Sequence, residues 1–270
     1  MIRKNYRRKR NSVRKSTRKS SRRSSVSSKV KRYVKREIHR NIEDKMISNE
    51  QVINFGSVAN APNLNVIPVM PYPGFSSIPQ NVTASGRVGN KIRIKRVMLN
   101  YVLTPTAYDA TINNAPGPMI AQLFLANVKP YRGLIPSTTA GDFNQIVQVG
   151  SSTAPLAGTL SDLCCELNTD YWDMKKVWTH KVGFADYAGT GANAAAQYRS
   201  NNDYKLNHVK KLNITKYCPA QVTFNDGTNQ QLGPNLFFMF QCVASGGGTI
   251  GSTQQPLRIN YWFHIKYEDA

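Results

Sequence analysis

Positive charge is concentrated at the N terminus, which separates a segment that cannot fold alone from a segment that can. Twelve of the first 23 residues are Lys or Arg, and the first acidic residue is Glu37. Residues 1–40 contain 18 Lys and Arg against one Glu, whereas residues 41–270 contain 18 Lys and Arg against 14 Asp and Glu. Residues 1–28 carry few apolar side chains, too few to offset the entropy of ordering. We therefore predict that residues 1–28 form a disordered basic arm.

The charge of this arm predicts a polyanionic partner, and it favours nucleic acid over an acidic membrane surface. Each Lys or Arg that neutralises a phosphate releases a condensed counterion, which gives strong binding with little sequence preference. No apolar run approaches the roughly 20 residues that cross a bilayer, so we expect no membrane insertion. The candidate nucleic-acid-binding residues in this part of the chain are Arg3, Lys4, Arg7, Arg8, Lys9, Arg10, Arg14, Lys15, Arg18, Lys19, Arg22, Arg23, Lys29, Lys31, Arg32, Lys35 and Arg36.

Residues 29–47 have the pattern of an amphipathic basic helix or linker. Apolar residues recur every four positions, at Val30, Val34, Ile38, Ile42 and Met46. Basic residues crowd the start and acidic residues lie near the end, so the charges oppose the helix dipole. We expect a marginal helix that phosphates or a neighbouring subunit stabilise; the alternative is a surface helix packed on the folded domain.

The remaining residues, 48–270, predict one all-β domain. Apolar side chains alternate most clearly in 257–267, which is typical of a strand with one buried face. In 91–103 the parity changes between Ile94 and Val97, and this predicts a bulge near Lys95 and Arg96. Long loops between the strands favour a jelly-roll β-sandwich. The further predicted strands are 123–128, 177–184, 220–224 and 236–243.

A second basic patch is predicted on the 91–103 strand, where Lys91, Arg93 and Lys95 share one face. These cations either extend the nucleic-acid contact onto the folded domain or block unwanted pairing at a strand edge. Further basic residues and two tyrosines could join the patch, the tyrosines as stacking platforms or as core residues. They are Arg199, Lys205, Lys210, Lys211, Lys216, Tyr204 and Tyr217.

Enzymatic signals are missing from the sequence. It contains no G-x-S-x-G, P-loop, H-E-x-x-H or strand-linked G-x-G-x-x-G motif. The four cysteines lack the spacing of a metal site, and the four histidines form no sequence pair. We therefore expect that the chain is not an enzyme and has no catalytic residue, cofactor or metal.

Five segments follow the basic arm in a characteristic order: VKREIHRNIEDK at 34–45, GNKIRIKRVMLNYVLTP at 89–105, NNAPGPMIAQLFL at 113–125, KKLNITKYCPAQVTFND at 210–226 and INYWFHIKYEDA at 259–270. In this layout the chain resembles capsid proteins of small circular Rep-encoding single-stranded DNA viruses, the circovirus-like group. The resemblance spans the whole chain and rests on the number and order of the segments.

This resemblance implies an eight-stranded jelly roll and a small icosahedral shell of T=1 type with ~60 copies. It also implies that the arm packages single-stranded DNA and serves as a nuclear localisation signal for host import factors. The protein would then reside in the virion and, during infection, in the host nucleus. Arm charge does not distinguish DNA from RNA, so two alternatives stay open. They are a capsid protein of a small RNA or satellite virus and a cellular nucleic-acid-binding protein with a basic tail.

Overall fold

The chain divides into two compact units, Met1–Glu43 and Asp44–Ala270, and we call the second unit the body. In the first unit, helix α1 covers residues 27–34, and all eight residues are exposed. The computed structural model describes residues 27–34, 44–56, 66–70, 78–80, 86–129, 146–149, 152–154, 156–188, 195–225, 231–232, 236–251 and 253–269. The arm predicted to be disordered lies outside these residues, except for Ser27 and Ser28, which belong to α1.

The described part of the body contains fourteen β-strands and two short 3-10 turns. The turns are Leu160–Leu163 and Thr215–Tyr217. The strands are β1 Lys45–Phe55, β2 Val66–Met70, β3 Lys91–Pro105, β4 Met119–Val128, β5 Val147–Val149, β6 Ser152–Ala154, β7 Trp172–Val182, β8 Phe184–Ala188, β9 Ala195–Arg199, β10 His208–Asn213, β11 Gln221–Phe224, β12 Gln231–Leu232, β13 Leu236–Ala244 and β14 Leu257–Asp269.

Most of these strands form two antiparallel sheets. The first sheet has the order β1-β14-β3-β11-β12, and β10 also pairs with β3. The second sheet has the order β2-β13-β4-β7. Two small hairpins, β5–β6 and β8–β9, stand apart from both sheets. The all-β prediction is therefore confirmed.

Strand pairing in the two sheets is nested along the chain. The first strand pairs with the last, β1 with β14, and β2 pairs with β13. Further in, β3 pairs with β10 and β11, and β4 pairs with β7. Two further pairs, β14 with β3 and β13 with β4, join the nested pairs into sheets. The nested pairs therefore follow the order of one long antiparallel hairpin, in which the first half of the body pairs with the second half.

The predicted alternation holds along β14. Leu257, Ile259, Tyr261, Phe263, Ile265 and Tyr267 are each at most 1% exposed. They pack into a core that side chains of both sheets share. Phe238 of β13 lies 6.2 Å from Phe263 and 6.3 Å from Tyr101 of β3, measured between ring centroids. The two sheets therefore pack face to face through these rings.

The predicted bulge in β3 is also confirmed. Lys266 pairs with Arg96 and Tyr267 pairs with Ile94, so Lys95 is an extra residue on β3. The bulge restores one buried face, because Ile94 before it and Val97 after it both enter the core. It also leaves Lys95 and Arg96 exposed side by side.

The outer face of the second sheet carries a core of its own. Strand β13 is buried on both faces, as its continuous apolar sequence predicts. Phe237 and Met239 of β13 pack with Phe124 of β4 under residues between 146 and 172, among them Ile146 and Trp172. The segment after β4 therefore covers a surface that would otherwise be exposed and apolar.

The helix prediction for residues 29–47 is correct only in part. Residues 29–34 lie in α1, residues 35–43 lie outside the described part of the chain, and Lys45, Met46 and Ile47 belong to β1. All eleven residues of β1 pair with β14. The four-residue recurrence of apolar groups was overridden there by this long-range pairing, which outweighs a marginal helix propensity.

Candidate nucleic-acid interface

Helix α1 exposes three of the predicted nucleic-acid-binding residues, Lys29, Lys31 and Arg32. Its apolar residues Val30, Tyr33 and Val34 are 54%, 58% and 48% exposed. Their spacing of three and four residues gives the helix an apolar side, as the sequence predicts. The remaining predicted contacts of the N-terminal segment, Arg3 to Arg23 together with Lys35 and Arg36, lie outside the described residues.

On β3, the structure places the predicted cations next to carboxylates of the body. Arg93 Nη1 lies 3.3 Å from Glu268 Oε1, and Lys95 Nζ lies 2.7 Å from Glu268 Oε2. Lys95 Nζ also lies 2.5 Å from Asp44 Oδ1. Lys91 is exposed and has no ion pair among the described residues. The patch therefore has less uncompensated charge than its sequence implies.

These carboxylates join the two ends of the body. Asp44 Oδ2 lies 2.7 Å from Lys266 Nζ, and Lys45 Nζ donates to Asp269 Oδ2 at 2.7 Å. Hydrogen bonds from Lys266 and Lys95 hold the pKa of Asp44 below its ordinary value. The hydrogen bond from Lys95 to Asp44 raises the pKa of Lys95, and the hydrogen bond from Lys95 to Glu268 raises it as well. Both pKa shifts favour the charged forms of Asp44 and Lys95, and the ion pairs tie the start of β1 to the end of β14.

A different group of cations lies where the edge strands of the two sheets meet, at β7 and β10. The backbone N–H of Lys205 donates to Lys181 O at 3.2 Å, and His208 Nε2 donates to the same oxygen at 2.8 Å. Lys181 Nζ lies 5.7 Å from the ring centroid of Tyr204. Lys181, Lys205 and Lys210 are all exposed. We call these three lysines the edge cluster.

Two histidines lie beneath the edge cluster. His180 is 7% exposed, its Nε2 lies 2.8 Å from the Tyr101 hydroxyl, and its ring centroid lies 4.7 Å from that of His208. Burial, together with the charges of His208 and Lys210, lowers the pKa of His180 to about 4. The histidines show no pairing in the sequence, whereas the fold brings these two together. No local motif signals this contact.

Tyr204 and Tyr217, both predicted as stacking or core residues, have different surroundings. Tyr217 packs against the main core, and Lys216 Nζ lies 4.7 Å from its ring centroid. A cavity of about 230 Å³ lies beside it, lined in part by Lys175 and Pro219. Tyr204 is half-buried and contacts the edge cluster. Tyr217 thus has a core role, and Tyr204 is the better placed for stacking.

Within the described ranges, no group of three or more His, Cys, Asp or Glu side chains is arranged to hold a metal ion. An open cavity of about 480 Å³ is lined by Cys165, Glu166 and Asp170 among others. In the same ranges, no helix has the length and apolar character needed to cross a bilayer.

Comparison with known proteins gives no relative: no protein-family model and no curated protein sequence matches the chain.

Proposed function

We propose that the chain is a structural capsid protein that assembles into a small icosahedral shell and packages single-stranded DNA through its basic N-terminal arm. It is not an enzyme in this proposal. The observation that carries the proposal is the combination of a strongly cationic segment with a nearly neutral body of nested antiparallel strands. In this proposal, one chain supplies both the charge that binds nucleic acid and the domain that forms the shell wall.

The strand pairing supports a jelly roll of eight principal strands. Strands β10 and β11 pair with successive parts of β3, and the 3-10 turn between them contacts β3 near its bulge, where Val97 N–H donates to Thr215 Oγ1. Counted as one interrupted strand, and with the two-residue strand β12 left out, they leave four principal strands in each sheet. A long antiparallel hairpin rolled into two sheets gives this order, which viral capsid domains and lectins share.

The N-terminal charge distinguishes a capsid from other jelly rolls. Residues 1–40 contain 18 basic residues and one acidic residue. If ~60 copies assemble, they bring on the order of 1,000 positive charges together, enough to neutralise a single strand of roughly kilobase length. The arms repel one another without such a strand. We therefore expect nucleic acid to drive assembly.

The first experiment measures assembly of the full-length protein. The chain is purified at high salt and transferred to low salt with and without single-stranded DNA, and its size is followed by sedimentation and electron microscopy. We expect particles of megadalton mass with DNA and few without it. A persistent monomer would support the cellular nucleic-acid-binding alternative, and equal assembly in both conditions would refute the coupling.

The second experiment removes residues 1–40. Because the body is a compact unit, we expect it to stay folded and to lose most of its salt-dependent affinity for single strands. An unchanged salt slope would move the binding site to the body and contradict the arm proposal. A reporter fused to residues 1–40 tests the proposed nuclear import, since it should accumulate in the nucleus.

The nature of the packaged strand separates the viral alternatives. Particles recovered from infected cells are opened, and their nucleic acid is treated with DNase or RNase. Digestion by DNase alone agrees with the proposal. Digestion by RNase alone would assign the chain to a small RNA or satellite virus.

A further inference from the structure

We propose that the edge cluster, Lys181, Lys205 and Lys210, is a second phosphate-binding site that holds the backbone of a single nucleic-acid strand on the body. This inference rests on the proposed function, because its ligand is the strand that the arm gathers. The sequence prediction centred the body contact on β3 and named Lys205, Lys210 and Tyr204 as residues that could join it, but it did not include Lys181.

The edge cluster is built on rigid backbone. Gly183 N–H donates to Lys205 O at 3.0 Å, and Lys205 N–H donates to Lys181 O at 3.2 Å. Lys210 lies within β10, which pairs along its whole length with β3. Lys205 bridges to Val182 and therefore points to the opposite side of β7 from Lys181, so the lysines flank the edge of β7 on ordered backbone. A phosphate backbone that follows this edge would order only the lysine side chains themselves.

Charge separates the edge cluster from the β3 patch. Its three lysines are exposed and have no ion pair with a carboxylate among the described residues. By contrast, Arg93 and Lys95 of β3 contact the buried carboxylate of Glu268. On β3, a phosphate must compete with that carboxylate for Arg93 and Lys95. At the edge cluster, no carboxylate among the described residues competes for the lysines.

The surroundings indicate which anion fits. Burial lowers the pKa of the adjacent His180, and the nearby positive charges of His208 and Lys210 act in the same direction. The ring of Tyr204 beside Lys181 gives a base a surface on which to stack. A sulfated polysaccharide would use the lysines but has no base to stack there, so we assign the site to nucleic acid.

The test compares two triple variants of the full-length chain. Lys181→Gln, Lys205→Gln and Lys210→Gln together remove the cluster. Lys175→Gln, Lys176→Gln and Lys266→Gln remove the same charge from the body outside the cluster, where Lys175 and Lys266 have carboxylate partners and Lys176 is exposed. Binding of a labelled oligothymidylate is measured by fluorescence anisotropy over a salt series.

We expect the cluster variant to lower the log–log salt slope by about 2, since each contact with a single strand contributes about 0.7. The control variant should keep the slope of the unmodified chain. An unchanged slope in the cluster variant, or an equal fall in both variants, would overturn the proposal.

A second measurement needs no substitution. Lysine acetylation of the unmodified chain is mapped by mass spectrometry with and without oligothymidylate, and with a sulfated oligosaccharide. We expect the oligonucleotide to protect the edge cluster and to leave Lys91 and Lys175 unprotected. Protection of the cluster by the oligosaccharide alone would overturn the nucleic-acid assignment. The salt slope and the acetylation pattern can both be measured on a monomer. Failure to form shells would therefore contradict the capsid proposal and leave the test of the edge cluster intact.

Discussion

The buried carboxylate of Glu268 makes the body sensitive to the loss of one cation. Its side chain is 1% exposed, whereas Lys95 is 32% and Arg93 is 49% exposed. Replacing Lys95 by Met leaves a buried negative charge with Arg93 at 3.3 Å as its partner from β3. Replacing Glu268 by Gln instead leaves cations that water can hydrate. The two substitutions break the same pair and should therefore have unequal costs.

Removing one partner of a fully buried ion pair costs about 3–5 kcal/mol. Because Arg93 remains and Lys95 is partly exposed, we expect Lys95→Met to lower the free energy of unfolding by about 2–3 kcal/mol. We expect Glu268→Gln to lower it by about 1 kcal/mol, the cost of weakened hydrogen bonds. The double variant should cost less than the sum by about 1–2 kcal/mol, because removal of the carboxylate also removes the buried charge that has lost Lys95 as a partner.

The assay is urea unfolding at high salt and one protein concentration, followed by tryptophan fluorescence. Lys266→Met is the matched control, since Lys266 pairs with Asp44 at an exposed site and should contribute less than about 0.5 kcal/mol. Equal costs for Lys95→Met and Lys266→Met would refute the reasoning. So would additivity of the Lys95 and Glu268 substitutions.

Three further predictions concern the core and its edge. As the pH falls from 6.5 to 4, the free energy of unfolding should decrease by about 3 kcal/mol, because His180 takes up a proton on unfolding. Urea unfolding of His180→Asn should lack this pH-dependent decrease. Gly183→Ala should cost about 2 kcal/mol or more in the same assay, since a Cβ would lie 2.3 Å from a backbone carbonyl oxygen, while Gly246→Ala, with open space around it, should be nearly neutral. Phe238→Ala should cost about 3–5 kcal/mol in thermal or urea unfolding, because its ring is fully buried between the sheets.

Local sequence patterns predicted much of the β-structure. The alternation in β14 and the parity change in β3 are visible in a few neighbouring residues, and each strand buries the face that its pattern indicates. The prediction failed at residues 45–47, where a weak helical recurrence competed with pairing to a strand more than 200 residues away. A pattern of neighbouring residues carries no information about a pairing strand so far along the chain.

For the candidate interface, the sequence by itself determined how much positive charge the chain carries and how unevenly it is distributed, because charge follows from residue identity alone. Only the tertiary structure decided which cations remain uncompensated. Asp44, Glu268 and Lys95 meet although 51 and more residues separate Lys95 from either carboxylate, and the edge cluster forms where strands of different sheets adjoin. Electrostatic compensation depends on distances between atoms in space, and long-range packing sets those distances.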